Sequence, residues 1–295
     1  MLVTGAGGFL GSHMARDLAA AGLETIALRR HEPSARGAET LGQARLLLAD
    51  PVQSTAGLPE CVGAVIHLGA TSPAPRVSDA ALTRDNVAGT QAMIDYARRA
   101  GAQLFVFASS MSYYGRIAAA EVDETTPPRD ADLYGETKFA GEKLLEAVAS
   151  ELPGLALRLP GVLGLGARRN FISETLTKML AGEPIRAFNP DADFNNAAHA
   201  ADLTALTLRL LRLGHTGFDA VTVAARGMTK IGAALERMKR RANSRSTIEF
   251  RPSDRQSFTV SSARAIERYG YDPMEIGAML DHYVDAELAW RGGSA

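Results

Sequence analysis

The sequence lacks the features that mark secreted and membrane-spanning proteins. It contains a single cysteine, Cys61, so no disulfide can form within the chain, as expected in a reducing compartment. We interpret Cys61 as a small buried residue rather than a nucleophile, because no other feature points to it. No run of about 18 apolar residues is present, which excludes a membrane-spanning helix. The N-terminus enters a strand pattern without a charged leader region, so we expect a cytoplasmic protein.

An excess of charge of one sign is also missing. The 32 basic residues oppose 33 acidic ones, and the basic residues are scattered, so nothing suggests a nucleic-acid-binding surface. The hydrophobic content of 46% and charged content of 22% are typical of a globular protein. A length of 295 residues suffices for one large domain or for a core domain with a smaller companion.

Short apolar runs alternate with helical patterns through the first half of the chain. The apolar runs are Met1–Thr4, Thr25–Leu28, Arg45–Ala49, Ala64–Leu68, Leu104–Ala108 and Leu155–Leu159, and the helical patterns are Gly11–Ala21, Asp79–Ala100 and Asp132–Ser150. Nearly continuous apolar strands are typical of sheets buried on both faces. The alternation therefore predicts an α/β fold with a Rossmann-type, doubly wound parallel sheet.

The pattern changes after Leu159. Predicted helices lie at Phe171–Ala181, His199–Leu213, Thr229–Arg241 and Pro273–Trp290, with predicted strands at Pro184–Phe188 and Phe218–Ala224. We expect a first domain over residues 1–160 and a smaller α/β lobe over residues 161–295, interleaved with the first. This lobe would cover the carboxyl ends of the first-half strands, where open α/β sheets bind ligands.

A glycine-rich turn, Gly5-Ala6-Gly7-Gly8-Phe9-Leu10-Gly11, follows the first strand and opens the first helix. Gly5 permits a tight turn, Gly8 lets backbone amides approach a pyrophosphate, and Gly11 lets the helix pack close to the strand. The helix N-terminus adds partial positive charge for the phosphates. This placement predicts a dinucleotide site.

The end of the second strand favours NADP over NAD. NAD-preferring sites usually place Asp or Glu there, about 20 residues after the glycines, whereas this chain has Arg29 and Arg30. Guanidinium groups bind a 2′-phosphate that a carboxylate would repel. Alternatively, the arginines face solvent and Glu32 serves the ribose. Asp50, after the third strand, either reaches the adenine or forms a turn.

Tyr134 and Lys138 are separated by four residues near the start of a predicted helix and so share one face. An ammonium group beside a phenol, helped by the positive nicotinamide, lowers the pKa of the phenol, which can then act as a base near neutral pH. The spacing alone would also suit a surface pair. The hydroxyls at the end of the central strand Leu104–Ala108 decide between the two interpretations.

Ser109, Ser110 and Ser112 follow that buried strand. A hydroxyl at the carboxyl end of a central strand is placed to hydrogen-bond a substrate oxygen. For Ser109 and Ser112, a role in closing the strand into a turn competes with this interpretation. We predict that Ser110 is the catalytic hydroxyl.

Together these motifs resemble the extended short-chain dehydrogenase/reductase family, the NAD(P)-dependent epimerase/dehydratase group that acts mostly on nucleotide sugars. Besides the glycine turn and Tyr134-Gly135-Glu136-Thr137-Lys138, the resemblance rests on His67-Leu68-Gly69-Ala70, Asn86-Val87-Ala88-Gly89-Thr90, Leu157-Arg158-Leu159-Pro160-Gly161, His199-Ala200-Ala201-Asp202-Leu203 and Arg251-Pro252-Ser253-Asp254. The motifs are specific for the family and poorly specific for the substrate.

The resemblance implies roles for individual residues. Tyr134 would be the general acid and base, Lys138 its electrostatic partner and a ligand of the cofactor ribose, and Ser110 the family's catalytic hydroxyl. The implied cofactor contacts also include Gly5, Gly8, Phe9, Leu10, Gly11, Leu68, Ala70 and Asn86. The predicted substrate contacts are Ser110, Ser112, Asn170, Arg251 and Asp254. The family also implies a homodimer packed through the helices Asp79–Ala100 and Asp132–Ser150, and no metal is expected.

The chain departs from the family pattern at several positions. Dehydratases carry Asp-Glu after the catalytic hydroxyl, where this chain has Met111 and Ser112, which disfavours dehydration. Nucleotide-sugar enzymes often carry Asn at the position of Gly161 and Arg-Asp at the positions of Asn195-Asn196. Arg168 and Arg169 are candidates to replace the lost arginine, or they form an exposed turn. His199 is interpreted as structural.

These departures leave two enzymatic hypotheses. The first is an epimerase that inverts a sugar-like secondary alcohol, which we expect to belong to a nucleotide sugar. The alternative is an NADPH-dependent reductase or dehydrogenase of a small keto or hydroxy compound. A non-catalytic regulator that senses the cofactor, or a family descendant that binds RNA or protein, is disfavoured, because Tyr134 and Lys138 are both present and no basic stripe exists.

Overall fold

The main sheet consists of seven parallel strands in a computed structural model that describes residues 1–33, 40–253 and 256–292. The strands of the described chain are β1 (Leu2–Thr4), β2 (Ile26–Arg29), β3 (Arg45–Leu48), β4 (Val65–His67), β5 (Phe105–Ser110), β6 (Glu121–Val122), β7 (Gly154–Leu159), β8 (Gly161–Leu163), β9 (Ile185–Phe188), β10 (Asp193–Phe194), β11 (Ala197–His199), β12 (Phe218–Thr222), β13 (Thr229–Lys230), β14 (Ile248–Arg251) and β15 (Thr259–Val260). The order in the main sheet is β12-β7-β5-β4-β1-β2-β3. The predicted doubly wound fold is confirmed.

The strand order reverses between β1 and β4. The chain runs outward from β1 to β2 and β3, then returns to place β4 on the other side of β1. Ligands of open α/β sheets bind at the carboxyl ends of the strands beside such a reversal. The backbones of Thr4 and His67, which end β1 and β4, are paired directly across it.

The helices agree closely with the predicted segments, except that the helix Ala263–Tyr269 was not predicted. They are α1 (Phe9–Ala20), α2 (Asp79–Thr83), α3 (Gly89–Arg99), α4 (Leu133–Glu146), α5 (Phe171–Ala181), α6 (Ala200–Leu213), α7 (Ile231–Arg241), α8 (Ala263–Tyr269) and α9 (Ile276–Gly292). A π-helical turn, Arg84–Ala88, joins α2 to α3. None of the helices in the described ranges is long and apolar enough to cross a membrane.

Burial explains why these strands are so apolar. All three residues of β1 and of β4 are buried, as are the first five of β5 and of β7. The edge strand β3 is mostly exposed, because it has a neighbour on one side only. Cys61 is exposed, so our interpretation of it as a buried residue is wrong. It lies on the surface in the segment that leads into β4, outside the apolar core.

The described chain divides into two compact units. The first comprises Met1–Arg116, Pro127–Leu159 and Leu203–Thr222, and the second comprises Ile117–Thr126, Pro160–Asp202 and Val223–Ala295. The first unit contains the whole main sheet, because the segment Leu203–Thr222 contributes β12 as its last strand.

The second unit consists of short paired strands and helices. The pairs β8–β11, β9–β14 and β6–β15 are parallel, and β10–β13 is antiparallel. Helices α7 and α9 are joined by two ion pairs, Arg237–Asp281 at 2.8 Å and Arg241–Asp285 at 2.5 Å. These pairs are at least partly solvent-exposed, so water screens them and each contributes little to stability.

Candidate active site

The glycine turn brings three backbone segments into direct contact. Gly5 has a φ of +69°, and a Cβ placed on it would lie 2.7 Å from the nitrogen of Gly69. A Cβ on Gly11 would lie 2.2 Å from the carbonyl oxygen of Gly5. Any side chain at Gly5 or Gly11 would therefore separate β1, the loop after β4 and the start of α1. The turn closes with a hydrogen bond from the nitrogen of Gly8 to the oxygen of Gly5 at 2.8 Å.

A cavity of about 330 Å³ opens beside this turn, within the first unit. It is lined by the carboxyl ends of β1, β2 and β4 and by the loops that follow them. The lining residues include Thr4, Gly5, Gly7, Gly8, Leu28, Arg29, Arg30, His31, Asp50, Leu68, Gly69, Ala70, Thr71 and Asp85. Of the predicted cofactor contacts, Phe9, Leu10, Gly11, Asn86, Tyr134 and Lys138 are not part of this lining.

Arg29 occupies the end of β2, where the sequence predicted a phosphate ligand. Its guanidinium lies over Gly7, since a Cβ on that glycine would be 3.5 Å from Nη2 of the arginine. Its Nε is buried and has no hydrogen-bond partner within the described ranges. A buried nitrogen donor without a partner is costly, so this position suits an anionic ligand.

Arg30 points to a different partner. Its Nη1 lies 3.2 Å from a carboxylate oxygen of Asp85, on the π-helical turn. Burial would raise the pKa of Asp85, but hydrogen bonds with Thr71, Arg84 and Arg30 outweigh it and lower the pKa. Asp85 is therefore a partnered carboxylate. Arg30 lines the cavity, as a phosphate ligand would, but it is already paired with this carboxylate.

Asp50 forms a turn at the rim of the cavity. Its carboxylate accepts hydrogen bonds from the backbone of Val52 at 3.1 Å and from the side chain of Gln53 at 3.2 Å. The turn-forming alternative is confirmed, and the residue also lines the cavity, so contact with an adenine stays a prediction.

These residues fit a nicotinamide dinucleotide. The glycines let β1, the loop after β4 and the start of α1 pack closely beside the cavity, the helix N-terminus favours negative charge, and Arg29 offers a buried donor. The turn glycines, Leu68 and Ala70 would hold the phosphates and the centre of such a cofactor. Within the described ranges, no cluster of three or more His, Cys, Asp or Glu side chains could hold a metal ion.

Asn86 connects this loop to helix α4. It is buried, its side-chain oxygen accepts from the nitrogen of Thr71 at 2.7 Å, and its Nδ2 donates to the oxygen of Thr71 at 3.0 Å. The same Nδ2 contacts Oγ1 of Thr137 at 3.1 Å. The amide therefore fixes α4 relative to the loop after β4, and this bonding explains why Asn86 does not reach the cavity.

Helix α4 presents Tyr134 and Lys138 four residues apart. The helix begins after Asp132, whose carboxylate accepts from the nitrogen of Gly135 at 2.7 Å. A Cβ on Gly135 would lie 2.3 Å from the backbone oxygen of Ser112, so the helix start is pressed against the turn that follows β5. Tyr134 is half-buried and Lys138 is buried.

The direction of the tyrosine pKa differs from our expectation. Burial raises the pKa of Tyr134 above its usual value, and a hydrogen bond with the Ser72 side chain offsets this only in part. Burial also lowers the pKa of Lys138 to about 7, with the carboxylate of Glu142 opposing that change. The net pKa of the phenol is therefore raised in the chain itself, contrary to our expectation of a lowered value, because burial dominates.

His67, which is near this lysine, is a neutral ring. Thr90 donates its hydroxyl proton to the oxygen of Asn86 at 2.6 Å, so it accepts from Nε2 of His67 at 3.1 Å. Nδ1 then accepts from the hydroxyl of Thr4 at 2.8 Å. Burial, followed by the nearby Lys138, lowers the pKa of His67 to about 3. The bonding assigns the tautomer with the proton on Nε2.

The strand-end serines divide into different roles. Ser109 is buried and donates to a carboxylate oxygen of Glu142 at 2.5 Å. Ser110 accepts from the nitrogen of Ser112 at 3.1 Å and so begins the 3₁₀ turn Met111–Tyr114. One lone pair of its hydroxyl is used, and its proton remains available to donate. Ser110 therefore begins the turn and can still donate a hydrogen bond to a substrate oxygen.

A buried ion pair was not predicted from the sequence. Glu142 receives Nη2 of Arg158 at 2.8 Å, and Nη1 of that arginine donates to the hydroxyl of Tyr114 at 2.9 Å. The guanidinium also lies 4.4 Å from the ring centroid of Tyr113. A signal was present, because an arginine within the otherwise apolar strand β7 requires a buried partner.

The remaining predicted substrate residues lie in the second unit or outside the described residues. Asn170 begins α5 and borders a cavity of about 350 Å³, which is also lined by Phe188, Asn196 and Phe258. Arg251 is exposed, pairs with Glu249 at 2.9 Å and is not part of that lining. Asp254 lies outside the described residues.

The residues at which the sequence departs from the family pattern have different environments in the structure. Asn195 is buried and binds the backbone nitrogen and oxygen of Val260, both at 2.8 Å, so it does not replace the arginine of relatives. Arg168 and Arg169 are exposed, and Arg169 has a φ of +61°. His199 is buried, and its Nδ1 accepts from the nitrogen of Ala201 at 3.2 Å, consistent with a structural role.

Comparison with known proteins identifies the relatives of this chain. A family model described as the NAD dependent epimerase/dehydratase family matches residues 1–237. The chain is 25% identical to a UDP-glucose 4-epimerase of Azospirillum brasilense, over 99% of this chain and 91% of the relative. It is 25% identical to MoeE5, solved in complex with UDP-glucuronic acid and NAD, with a TM-score of 0.79 and coverage of 100% and 99%.

A further solved structure shares the fold. It is a UDP-glucuronic acid 4-epimerase from Bacillus cereus in complex with NAD, 19% identical, with a TM-score of 0.84 and coverage of 100% of this chain and 98% of the other.

Proposed function

Since the chain belongs to the NAD dependent epimerase/dehydratase family, we propose that it is an epimerase that inverts a secondary alcohol carbon of a nucleotide sugar. One observation carries this proposal. Helix α4 presents Tyr134 and Lys138 where its first turn is pressed against the turn that follows β5 and Ser110. The same helix is tied through Asn86 to the loop that lines the glycine-bordered cavity.

The chain's own residues supply the proton chemistry. When bound, a nicotinamide dinucleotide would supply reversible hydride acceptance next to the alcohol carbon. Tyr134 takes the proton of the substrate hydroxyl and returns it after the carbon has been inverted. Ser110 donates a hydrogen bond to the same oxygen. Positive charge on Lys138 stabilises the phenolate, which burial alone disfavours.

The relatives support a nucleotide sugar as substrate. The Azospirillum relative is named for UDP-glucose, and MoeE5 was solved with UDP-glucuronic acid. In the second unit, the cavity bordered by Asn170 offers aromatic rings and amide side chains, which suit a planar, hydrogen-bonding base. Ser112 and Arg251 remain predicted contacts, as does Asp254.

For the cofactor we propose NADP. The solved relatives named above carry NAD, but here the end of β2 holds Arg29 in place of a carboxylate. The carboxylates at the cavity, Asp50 and Asp85, already have partners, whereas Nε of Arg29 has none within the described ranges. A 2′-phosphate would supply the missing acceptor.

The homodimer expected from the family stays a prediction. Helices α3 and α4 would form its interface. Light scattering of the purified protein would detect a mass twice that of the 31.3 kDa chain.

A product assay tests the proposed reaction. The purified protein would be incubated with UDP-glucose, UDP-galactose or UDP-glucuronic acid in the presence of NADP or NAD. Proton NMR would follow the configuration at the sugar carbons, and absorbance would follow the reduced nicotinamide. We expect inversion of one sugar without accumulation of reduced cofactor. Steady accumulation of reduced cofactor without inversion would instead establish the dehydrogenase alternative.

A further inference from the structure

Helix α4 carries a second buried charged residue on the face of Tyr134 and Lys138. Glu142 follows Lys138 by four residues and is 2% exposed. Gly141 allows this packing, because a Cβ there would lie 2.5 Å from the ring of Phe107. The backbone of α4 therefore lies directly on β5, and both Lys138 and Glu142 are enclosed at that contact.

Glu142 is held by donors from two strands of the main sheet. Ser109 of β5 donates to its Oε1 at 2.5 Å. Arg158 of β7 donates to it through Nε at 3.1 Å and Nη2 at 2.8 Å. The arginine is itself fixed by the hydroxyl of Tyr114 and by the ring of Tyr113. With these donors the carboxylate has a defined position in the interior.

The other groups that face Lys138 do not provide a negative charge. His67 from β4 is neutral, with both ring nitrogens hydrogen-bonded. Phe107 from β5 presents the face of its ring at 4.5 Å, and the neutral phenol of Tyr134 precedes on the same helix. Arg158 from β7 is a cation and is paired with Glu142. Among these groups, Glu142 is the carboxylate that acts on Lys138.

We propose that Glu142, locked by Arg158 and Ser109, is a positioning residue that keeps Lys138 in its ammonium form beside Tyr134. This inference rests on the proposed function, because the ammonium form matters only if Tyr134 works as a base. Removing the carboxylate lowers the pKa of Lys138, since the attraction that opposes burial is lost. Activity that depends on the ammonium form would then decline at a lower pH.

The protonation of Lys138 can be measured without turnover. The lysines of the chain are Lys138, Lys143, Lys178, Lys230 and Lys239, so carbon-13 NMR of the lysine ε-carbons is tractable. The Lys138 signal would be assigned by its loss in Lys138→Arg. In the unmodified protein it should titrate well below the other four signals. In Glu142→Gln its midpoint should move down by about one pH unit.

A matched control separates charge at this site from charge elsewhere on the helix. Glu146→Gln removes the same charge from the exposed pair Lys143–Glu146 on α4. We expect that variant to leave the Lys138 midpoint in place. An unchanged midpoint in Glu142→Gln, or an equal shift in Glu146→Gln, would overturn the proposal.

Two further variants guard against loss of folding, because Glu142→Gln removes the carboxylate charge that pairs with Arg158. Ser109→Ala keeps the ion pair and removes one hydrogen bond from the carboxylate, so more negative charge acts on Lys138. Its midpoint should then move up, and a downward movement would contradict the proposal. Glu142→Asp keeps the charge, and a midpoint close to that of the unmodified protein is expected.

The pH dependence of kcat/KM links this measurement to catalysis. In Glu142→Gln, the alkaline limb of the kcat/KM profile, on which activity falls with rising pH, should shift to lower pH together with the NMR midpoint. A merely structural role would lower activity at every pH without moving that limb, and this result would overturn the proposal. Absence of epimerase activity in the unmodified protein would refute the proposed function, and the NMR titration would still test the role of Glu142.

Discussion

Nζ of Lys138 lies 4.5 Å from the centroid of the Phe107 ring, in a helix–strand contact where 3% of the lysine is exposed. Contact with the face of an aromatic ring recovers part of the hydration that the ammonium group loses. The recovery is incomplete, since burial still lowers the pKa of Lys138 to about 7. The protein therefore holds a destabilising cation where its proposed chemistry needs one.

Replacing Lys138 with methionine should stabilise the protein at acidic pH. The folded-state pKa is about 7 and the usual value is 10.5, so below pH 7 the folded protein bears the full penalty. Lys138→Met removes that penalty and should raise the free energy of unfolding at pH 6 by about 1–3 kcal/mol. The gain should shrink between pH 7 and 10.5. Urea denaturation at pH 6 and pH 9 measures both effects.

The control for this prediction is Lys143→Met on the same helix, where the lysine is exposed. Its effect on stability should stay within about 0.5 kcal/mol. A Lys138→Met variant less stable than the unmodified protein at pH 6 would contradict a net cost of burying the ammonium group of Lys138.

Acid should destabilise the protein through His67. Its pKa is about 3 in the folded state against 6.5 ordinarily, so the unfolded chain binds the additional proton between these values. The stability that the neutral ring contributes is fully present above pH 6.5 and is lost as the pH falls towards 3. In His67→Gln the free energy of unfolding should depend less steeply on pH in that window. The exposed His31→Gln should keep the original slope.

Arg29 should decide which dinucleotide binds. Arg29→Gln removes the guanidinium that the proposal pairs with the 2′-phosphate, so NADPH should bind about tenfold or more weakly. The affinity for NADH should change by less than about threefold. Nicotinamide fluorescence measures both dissociation constants. Arg45→Gln, outside the cavity lining, serves as the control, and equal losses for both cofactors in Arg29→Gln would refute the NADP assignment.

The glycine turn should not tolerate a methyl group at Gly11. The added Cβ would lie 2.2 Å from the oxygen of Gly5, and backbone atoms cannot yield as a flexible side chain can. We expect Gly11→Ala to cost about 1–3 kcal/mol of stability and to weaken dinucleotide binding at least about tenfold. Gly57→Ala is the matched control, because nothing lies within 4 Å of its Cβ position. Thermal unfolding and a binding titration would test both variants.

The sequence was sufficient for the features that depend on local chain properties. The turn Gly5–Gly11 predicted the close backbone packing, and apolar runs predicted each of the first six strands of the main sheet to within about two residues. Helix Phe171–Ala181 begins and ends as predicted, since Asn170 caps its start and Gly182 its end. Such signals lie within a few residues of one another.

Features that depend on distant contacts were not predictable in the same way. Phe218–Ala224 was recognised as a strand, but its pairing with β7 depends on how the whole chain returns to the first unit. The exposure of Cys61 and the pairing of Arg30 with Asp85 also depend on segments far apart in sequence. The pKa of Tyr134 depends on the balance of burial and hydrogen bonding, which spacing alone does not determine.

The most direct test of the account is the effect of Tyr134→Phe on inversion of the sugar. The variant removes one oxygen and keeps the ring, so folding and dinucleotide affinity should be preserved. We expect the rate of inversion to fall by about 10²–10⁴-fold, since the acid and base is lost, while the dissociation constant for NADPH stays within about threefold. A variant that folds, binds the dinucleotide and inverts the sugar at the original rate would contradict the central claim.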